Sequence, residues 1–241
     1  MGMSGLAVPH FGGRALPPPQ PMLLFQGDSI TECTRTRAGV ERTPCDGHRL
    51  GTGYPLMVGA SLRHHHPGQD VSIFNRGNSG DTLANLDARW IADLQGIQPT
   101  HISILIGIND ARTPNLAASA PWKVAFENLL TKARAGLPAG GRLIVLEPFI
   151  FDEALWVGGH TLFAQFRLAA RQAAFAKGAT FVPLHDMFQQ LLVKQPKAGY
   201  WTYDGLHPTI AGHSAIAEQW LRTVNIWPTP LTTADASPCT R

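Results

Sequence analysis

A serine at position 29, directly after Gly27-Asp28, and a histidine at 207, three residues beyond Asp204, are the ingredients of nucleophilic acyl transfer. A hydroxyl oxygen attacks a carbonyl well only if its proton leaves as the bond forms. An imidazole titrating near neutrality can take that proton and later return it to the leaving alcohol. A carboxylate on the other ring nitrogen orients the ring and stabilises the imidazolium. On one loop or helical turn, Asp204 and His207 can both face the same way. Taken singly, each residue also has a plainer role. Ser29 suits a helix cap, Gly80 a backbone turn, and Asn109-Asp110 a loop pair bonding its own backbone. Asp204 and His207 suit a surface pair beside Pro208.

Which of these roles applies depends on the elements that carry the residues. Short apolar runs at 22–25, 71–74, 101–106, 143–146 and 180–182 are rich in Ile, Val and Phe and bounded by Gly, Asn and Pro. They read as buried parallel strands. Between them, Leu83, Leu86, Trp90 and Leu94 recur at helical spacing, with Asp87, Arg89 and Asp93 facing elsewhere. A second helix begins near Pro121 and buries Phe126, Leu129, Leu130 and Ala133. A third covers 162–177, where Phe163, Phe166 and Ala170 share a side and Gly178 ends it, and a fourth covers 210–224. Alternating strands and helices predict an α/β fold built on a doubly wound parallel sheet. The chain is expected to hold one domain over 22–227, an extended arm at 1–21 and a tail at 228–241.

Ligands of such sheets bind outside the carboxyl ends of the strands. Four polar, Gly-containing corners follow strands here: Gly27-Asp28-Ser29, the stretch Asn75 to Thr82, Gly107-Ile108-Asn109-Asp110, and, after an irregular segment, Asp204-Gly205-Leu206-His207-Pro208. In sequence they read FQGDSIT, NRGNSGDT, GIND and DGLHP. In that order they resemble the four blocks of the SGNH hydrolases, also called GDSL esterases. The family's Ser, Gly, Asn and His fall on Ser29, Gly80, Asn109 and His207, and the similarity runs from about Leu24 to Leu221. Ile30 stands where the first block usually has Leu. Leu50-Gly51-Thr52-Gly53-Tyr54, Ala88-Arg89-Trp90 and Glu147-Pro148-Phe149 are similar to the branch of xylan and other carbohydrate acetylesterases.

The resemblance implies a three-layer α/β/α sandwich with a flavodoxin-like, mostly five-stranded parallel sheet. It implies a serine esterase with Ser29 as nucleophile, His207 as base and Asp204 as its partner. The oxyanion donors it implies are the backbone N–H groups of Ser29 and Gly80 and the side-chain amide of Asn109. It further implies an acetylated sugar, such as a xylo-oligosaccharide, as substrate, no cofactor or metal, and assembly into a homo-oligomer. Another acyl hydrolase on the same residues, of thioesterase or lysophospholipase type, and a non-catalytic binding module are the alternatives. Trp201 and Tyr203 flank the Asp204–His207 segment and could stack on a sugar or pack in the core; Asp28 could meet substrate or stabilise its turn. Asp81, Asp110 and Glu147 suit turn and structural roles, and His64-His65-His66 a solvated helix end.

Composition narrows the partners. With 20 Lys and Arg against 17 Asp and Glu, the net charge of +3 is too small and scattered for a nucleic-acid or anionic-membrane surface. No apolar stretch approaches the roughly 20 residues of a membrane helix. The first 21 residues, broken by Pro9 and Pro17 to Pro19, do not read as an export signal, so a cytoplasmic location is expected. The three cysteines, Cys33, Cys45 and Cys239, lack zinc-ligand spacing and are expected as free thiols.

Overall fold

The computed structural model describes residues 20–36, 47–112, 118–151 and 159–227. Cys45, Cys239, the tail from 228 and residues 1–19 of the expected arm lie outside the described residues.

Five parallel strands form one sheet: β1 Met22–Gly27, β2 Ser72–Asn75, β3 His101–Leu105, β4 Arg142–Leu146 and β5 Thr180–Val182. Their order in space is β2-β1-β3-β4-β5. All five expected strands are present, with ends shifted by one or two residues. They are apolar almost throughout because helices cover both faces, and Leu24, Phe25, Ile102, Ile104, Ile144 and Leu146 are wholly buried.

The helices are α1 Ser29–Glu32, α2 Gly47–Leu50, α3 Tyr54–His65, α4 Leu83–Leu94, α5 Ile108–Arg112, α6 Ser119–Ala135, α7 Gly159–Ala176, α8 His185–Lys194, α9 Ala198–Trp201 and α10 Ile210–Val224. Since parallel crossovers are right-handed, the leftward step from β1 to β2 and the rightward steps thereafter send their helices to opposite faces. Accordingly α3 packs with α10, while α6 packs with α4 and α7. This is the expected three-layer sandwich. Residues 185–201 correct one expectation: they are α8 and α9, not an irregular segment. Met187, Phe188, Leu191 and Leu192 supply a helical stripe whose deepest member is the buried Phe188.

The strand order reverses at β1, whose two neighbours are reached by crossovers in opposite directions. Such a switch leaves a crevice at the carboxyl ends of β1 and β3, because their following connections part to opposite faces. Ser29 follows β1 and Asn109 follows β3.

α10 packs against this part of the sheet through Trp220. Trp220 is fully buried, lies with its ring centroid 5.6 Å from that of Phe25, and donates its indole N–H to Ser103 Oγ at 3.0 Å. Burial of such a ring contributes about 2–3 kcal/mol or more. It fixes α10, and with it the turn that precedes it, against β1 and β3.

Candidate active site

β1 ends in a sharp turn that Gly27 alone permits, because a Cβ there would lie 2.3 Å from Thr31 Oγ1 and 2.5 Å from the Leu105 carbonyl. Asp28 caps α1, its Oδ1 accepting from the Ile30 N–H at 3.0 Å. Ser29 is therefore the first residue of a helical turn, where backbone N–H groups have no intrahelical partner. Its side chain is half-buried at the crevice.

Its hydroxyl meets a residue 178 positions away: Ser29 Oγ lies 2.9 Å from His207 Nε2. The other ring nitrogen, Nδ1, lies 2.6 Å from Asp204 Oδ2. Asp204 Oδ1 accepts from the backbone N–H of His207 at 2.6 Å and of Leu206 at 3.0 Å. Partial burial works against the Asp204 charge, but the hydrogen bonds from the His207 ring and from these two backbone amides outweigh it and hold the carboxyl below its ordinary range. Nδ1 thus faces an anion and carries the proton, which leaves Nε2 to accept from the serine. The supporting turn is short and closed, with Thr202 and Pro208 bridged, the Tyr203 N–H donating to the His207 carbonyl, and the Thr209 N–H donating to the Trp201 carbonyl.

The turn after β2 carries Gly80. Its φ of +83° is accessible to glycine, and a Cβ added there would meet nothing within 4 Å, so the position faces open space. The turn is held from below: Glu32 Oε2 accepts from the Ser79 N–H at 2.8 Å and the Gly77 N–H donates to Asn75 Oδ1 at 2.8 Å. Asn109, on α5, reaches the same turn and donates from Nδ2 to the Asp81 carbonyl at 2.9 Å. Asp110, beside it, accepts the Leu83 N–H on both oxygens, at 3.0 and 3.1 Å, tying α4 to α5. Ser29, Gly80, Asn109, Asp204 and His207 thus come from four connections that meet at the carboxyl edge of the sheet.

The remaining candidates separate. Trp201 is buried, 9% exposed, with its indole N–H on the Gln195 carbonyl at 3.0 Å, so it belongs to the core. Tyr203 is 70% exposed and lies parallel to the His207 ring, 5.5 Å between centroids and 11° between planes. Asp28 is 1% exposed and sits behind the serine as the cap of its helix. Asp81 pairs with Arg89, and Glu147 accepts the N–H groups of Leu184 and His185 while pairing with Arg167.

Burial, above all, raises the Asp28 carboxyl to a pKa of about 7, with the nearby Asp110 and Asp81 charges adding to it. The folded chain keeps this proton where the unfolded chain, near 3.8, has released it, so stability falls as the pH rises between those values. Asp28→Asn carries no titrating group in that window. Its melting temperature should rise relative to the parent's from about pH 4 to pH 7 and keep the largest advantage above; parallel melting curves across that range would show an ionised Asp28.

Sequence reading missed two groups of contributors beneath the site. Arg89 and Asp93 were expected to face away from the core, yet their side chains are only 20% and 16% exposed and turn toward the strand ends. Arg89 reaches them because its long stem delivers a fork of donors to the Gly27 and Arg76 carbonyls. His213 is the other: it accepts the Tyr54 N–H on Nδ1 at 3.2 Å and lies 3.3 Å from Cys33 Sγ through Nε2. Burial, and secondarily the neighbouring His207, push its pKa down to about 4, so it stays neutral next to a His207 that must become cationic. Among the described residues Cys33 forms no disulfide, and Cys45 lies outside them.

Comparisons with known proteins agree on one kinship. The GDSL-like lipase/acylhydrolase family model matches residues 25–215. An acetylxylan esterase from Geobacillus stearothermophilus is 31% identical over 208 residues, covering 84% of this chain and 93% of that protein. The crystal structure of Axe2, an acetylxylan esterase from the same organism, superposes with a TM-score of 0.74 at 28% identity, over 86% of this chain and 95% of that one. A protein described as GDSL-like lipase from Parabacteroides merdae gives a TM-score of 0.77 at 29% identity, over 86% and 96%.

Proposed function

Because the chain belongs to the GDSL-like lipase/acylhydrolase family, and is thereby a carboxylic ester hydrolase, we propose that it removes acetyl groups from carbohydrate esters through an acyl-enzyme on Ser29. The observation that carries this is the continuous relay from Ser29 Oγ through His207 to Asp204, with links of 2.9 and 2.6 Å.

In this reading Ser29 Oγ attacks the ester carbonyl carbon while His207 Nε2 takes the hydroxyl proton. Asp204 holds the Nδ1 proton and stabilises the imidazolium without taking that proton itself. The carbonyl oxygen becomes anionic and accepts from the N–H groups of Ser29 and Gly80 and from the Asn109 amide. An amide nitrogen has two hydrogens, so one can hold the Asp81 carbonyl while the other serves the oxyanion. The tetrahedral intermediate then expels the sugar alkoxide, which receives the proton from His207. Water, activated by the same imidazole, attacks the acyl-Ser29 carbonyl and releases acetate and the free serine.

Substrate class rests on two supports. The relatives include acetylxylan esterases. The rim is also open: Asp204 is 42% exposed at its side chain, Tyr203 is 70% exposed beside His207, and Gly80 faces empty space. An open rim with one exposed aromatic ring suits a soluble sugar carrying a short acyl group. Among the described residues, no helix is long and apolar enough to cross a membrane.

The experiment is acetate release from acetylated xylo-oligosaccharides, run beside p-nitrophenyl esters of increasing chain length. Acetate release from the sugars, with kcat/KM highest for acetyl and falling with each longer chain, is the expected result. Activity that rises toward octanoyl, with none on acetylated sugars, would replace this reading with a lipid or thioester hydrolase.

A further inference from the structure

Three backbone or amide donors taken from three different connections must point at one oxygen, yet each sits on a short turn that could relax by an ångström. The guanidinium of Arg89, on α4, touches two of those turns directly and reaches the third through Asp81. Its Nε donates to Asp81 Oδ2 at 2.6 Å, and its Nη2 donates to the Gly27 carbonyl at 3.0 Å. Its Nη1 donates to the Arg76 carbonyl at 2.7 Å and to Gln26 Oε1 at 2.9 Å, and also pairs with the Asp93 carboxylate.

Each contact leads to a donor by a short covalent or hydrogen-bonded path. The Gly27 carbonyl belongs to the last residue of β1, one peptide before Asp28-Ser29, and also accepts from the Asn78 N–H at 2.9 Å. Arg76 opens the turn that carries Gly80, and Asp81 closes it. Asp81 also receives the Asn78 amide on Oδ1 at 2.5 Å, while its backbone carbonyl receives the Asn109 amide. One rigid cation therefore fastens the nucleophile turn to the Gly80 turn and, through Asp81, to Asn109. A planar fork with five donors can serve acceptors in several directions at once, which an ammonium on a flexible stem cannot do.

We propose that Arg89 is the positioning residue of the oxyanion pocket, setting the mutual geometry of the Ser29, Gly80 and Asn109 donors without touching substrate. The inference rests on the reading of those three groups as the oxyanion donors. A donor displaced by about 1 Å forfeits on the order of 10²-fold in rate. Because the shifted donors act on the developing anion and not on the bound ester, the loss falls on kcat.

The test is a mutant cycle on p-nitrophenyl acetate between Arg89→Gln and Asn109→Ala, with Arg89→Lys as a second variant. Rates are expressed per serine titrated to completion with a fluorophosphonate, so that unfolded chains do not count. Asn109→Ala alone should lower kcat by about 10²- to 10³-fold, and Arg89→Gln by about 10²-fold with KM little changed. The double variant should be slower than Asn109→Ala by a smaller factor than Arg89→Gln costs alone, since one of the three donors that Arg89 positions is already gone while those of Ser29 and Gly80 remain. Arg89→Lys should recover little of the loss; if Arg89→Gln does not fold, this variant completes the same cycle. Effects that multiply in the double variant, a loss confined to KM, or full kcat per titrated site would each overturn the role of Arg89. Undiminished kcat in Asn109→Ala would instead overturn the oxyanion reading itself.

Discussion

Ser29→Ala should hydrolyse p-nitrophenyl acetate about 10⁶-fold more slowly than the parent, the scale of loss when one member of a serine relay is removed. The hydroxyl is the only atom deleted. It is half-buried at the rim, so the deletion leaves no core cavity and removes no capping group: Asp28, not Ser29, caps α1. The melting temperature should therefore stay within about 2 °C of the parent's, as for substitutions outside the packed core of a chain this size. Residual activity near background with an intact melting transition identifies Ser29 as the nucleophile. Turnover within tenfold of the parent would mean that the acyl group is transferred to something else.

His207→Ala should cost as much, and the two losses should not add. A serine hydroxyl without a base to accept its proton is hardly better than water as a nucleophile, so Ser29→Ala/His207→Ala should be no slower than either single variant. Asp204→Asn should cost less, about 10⁴-fold, because the imidazole remains but its tautomer and its charge are no longer held. The ranking Ser29 equal to His207, with Asp204 behind, is specific to a relay that works as one unit. Independent, multiplying losses at positions 29 and 207 would show that the 2.9 Å contact between them is structural.

Much of this architecture was legible because it rests on local patterns. Buried parallel strands leave continuous apolar runs, and all five were found within a residue or two of their ends. The polar corners after them were legible for the same reason, since Gly, Asn, Asp and Ser are the residues that turns and caps require. What could not be read was whatever depends on direction in space. Arg89 and Asp93 fall on the polar side of α4 by periodicity, yet they face strand ends, because a sequence does not say what lies across from a helix's polar face. Trp201 and Tyr203, two residues apart, present the same aromatic signal; the turn between them sends one into the core and the other into solvent. The stripe of α8 was present in the sequence but short, and it follows β5, the shortest strand of the sheet. The partnership of Cys33 with His213 spans 180 residues and has no pattern at all.

Asp204 and His207 share one closed turn of the chain, while Ser29 stands on α1, just after the first strand of the sheet. Among the described residues, every strand is synthesised by residue 182, twenty positions before that bridged turn opens at Thr202. On the proposed relay, a chain that holds only this sheet lacks the base of its serine, and ester hydrolysis requires α10 to seat, with Trp220 against Phe25 and the imidazole of His207 on the Ser29 hydroxyl. On that reading, loosening that one helix would switch the chemistry off while the sheet beneath it stays whole.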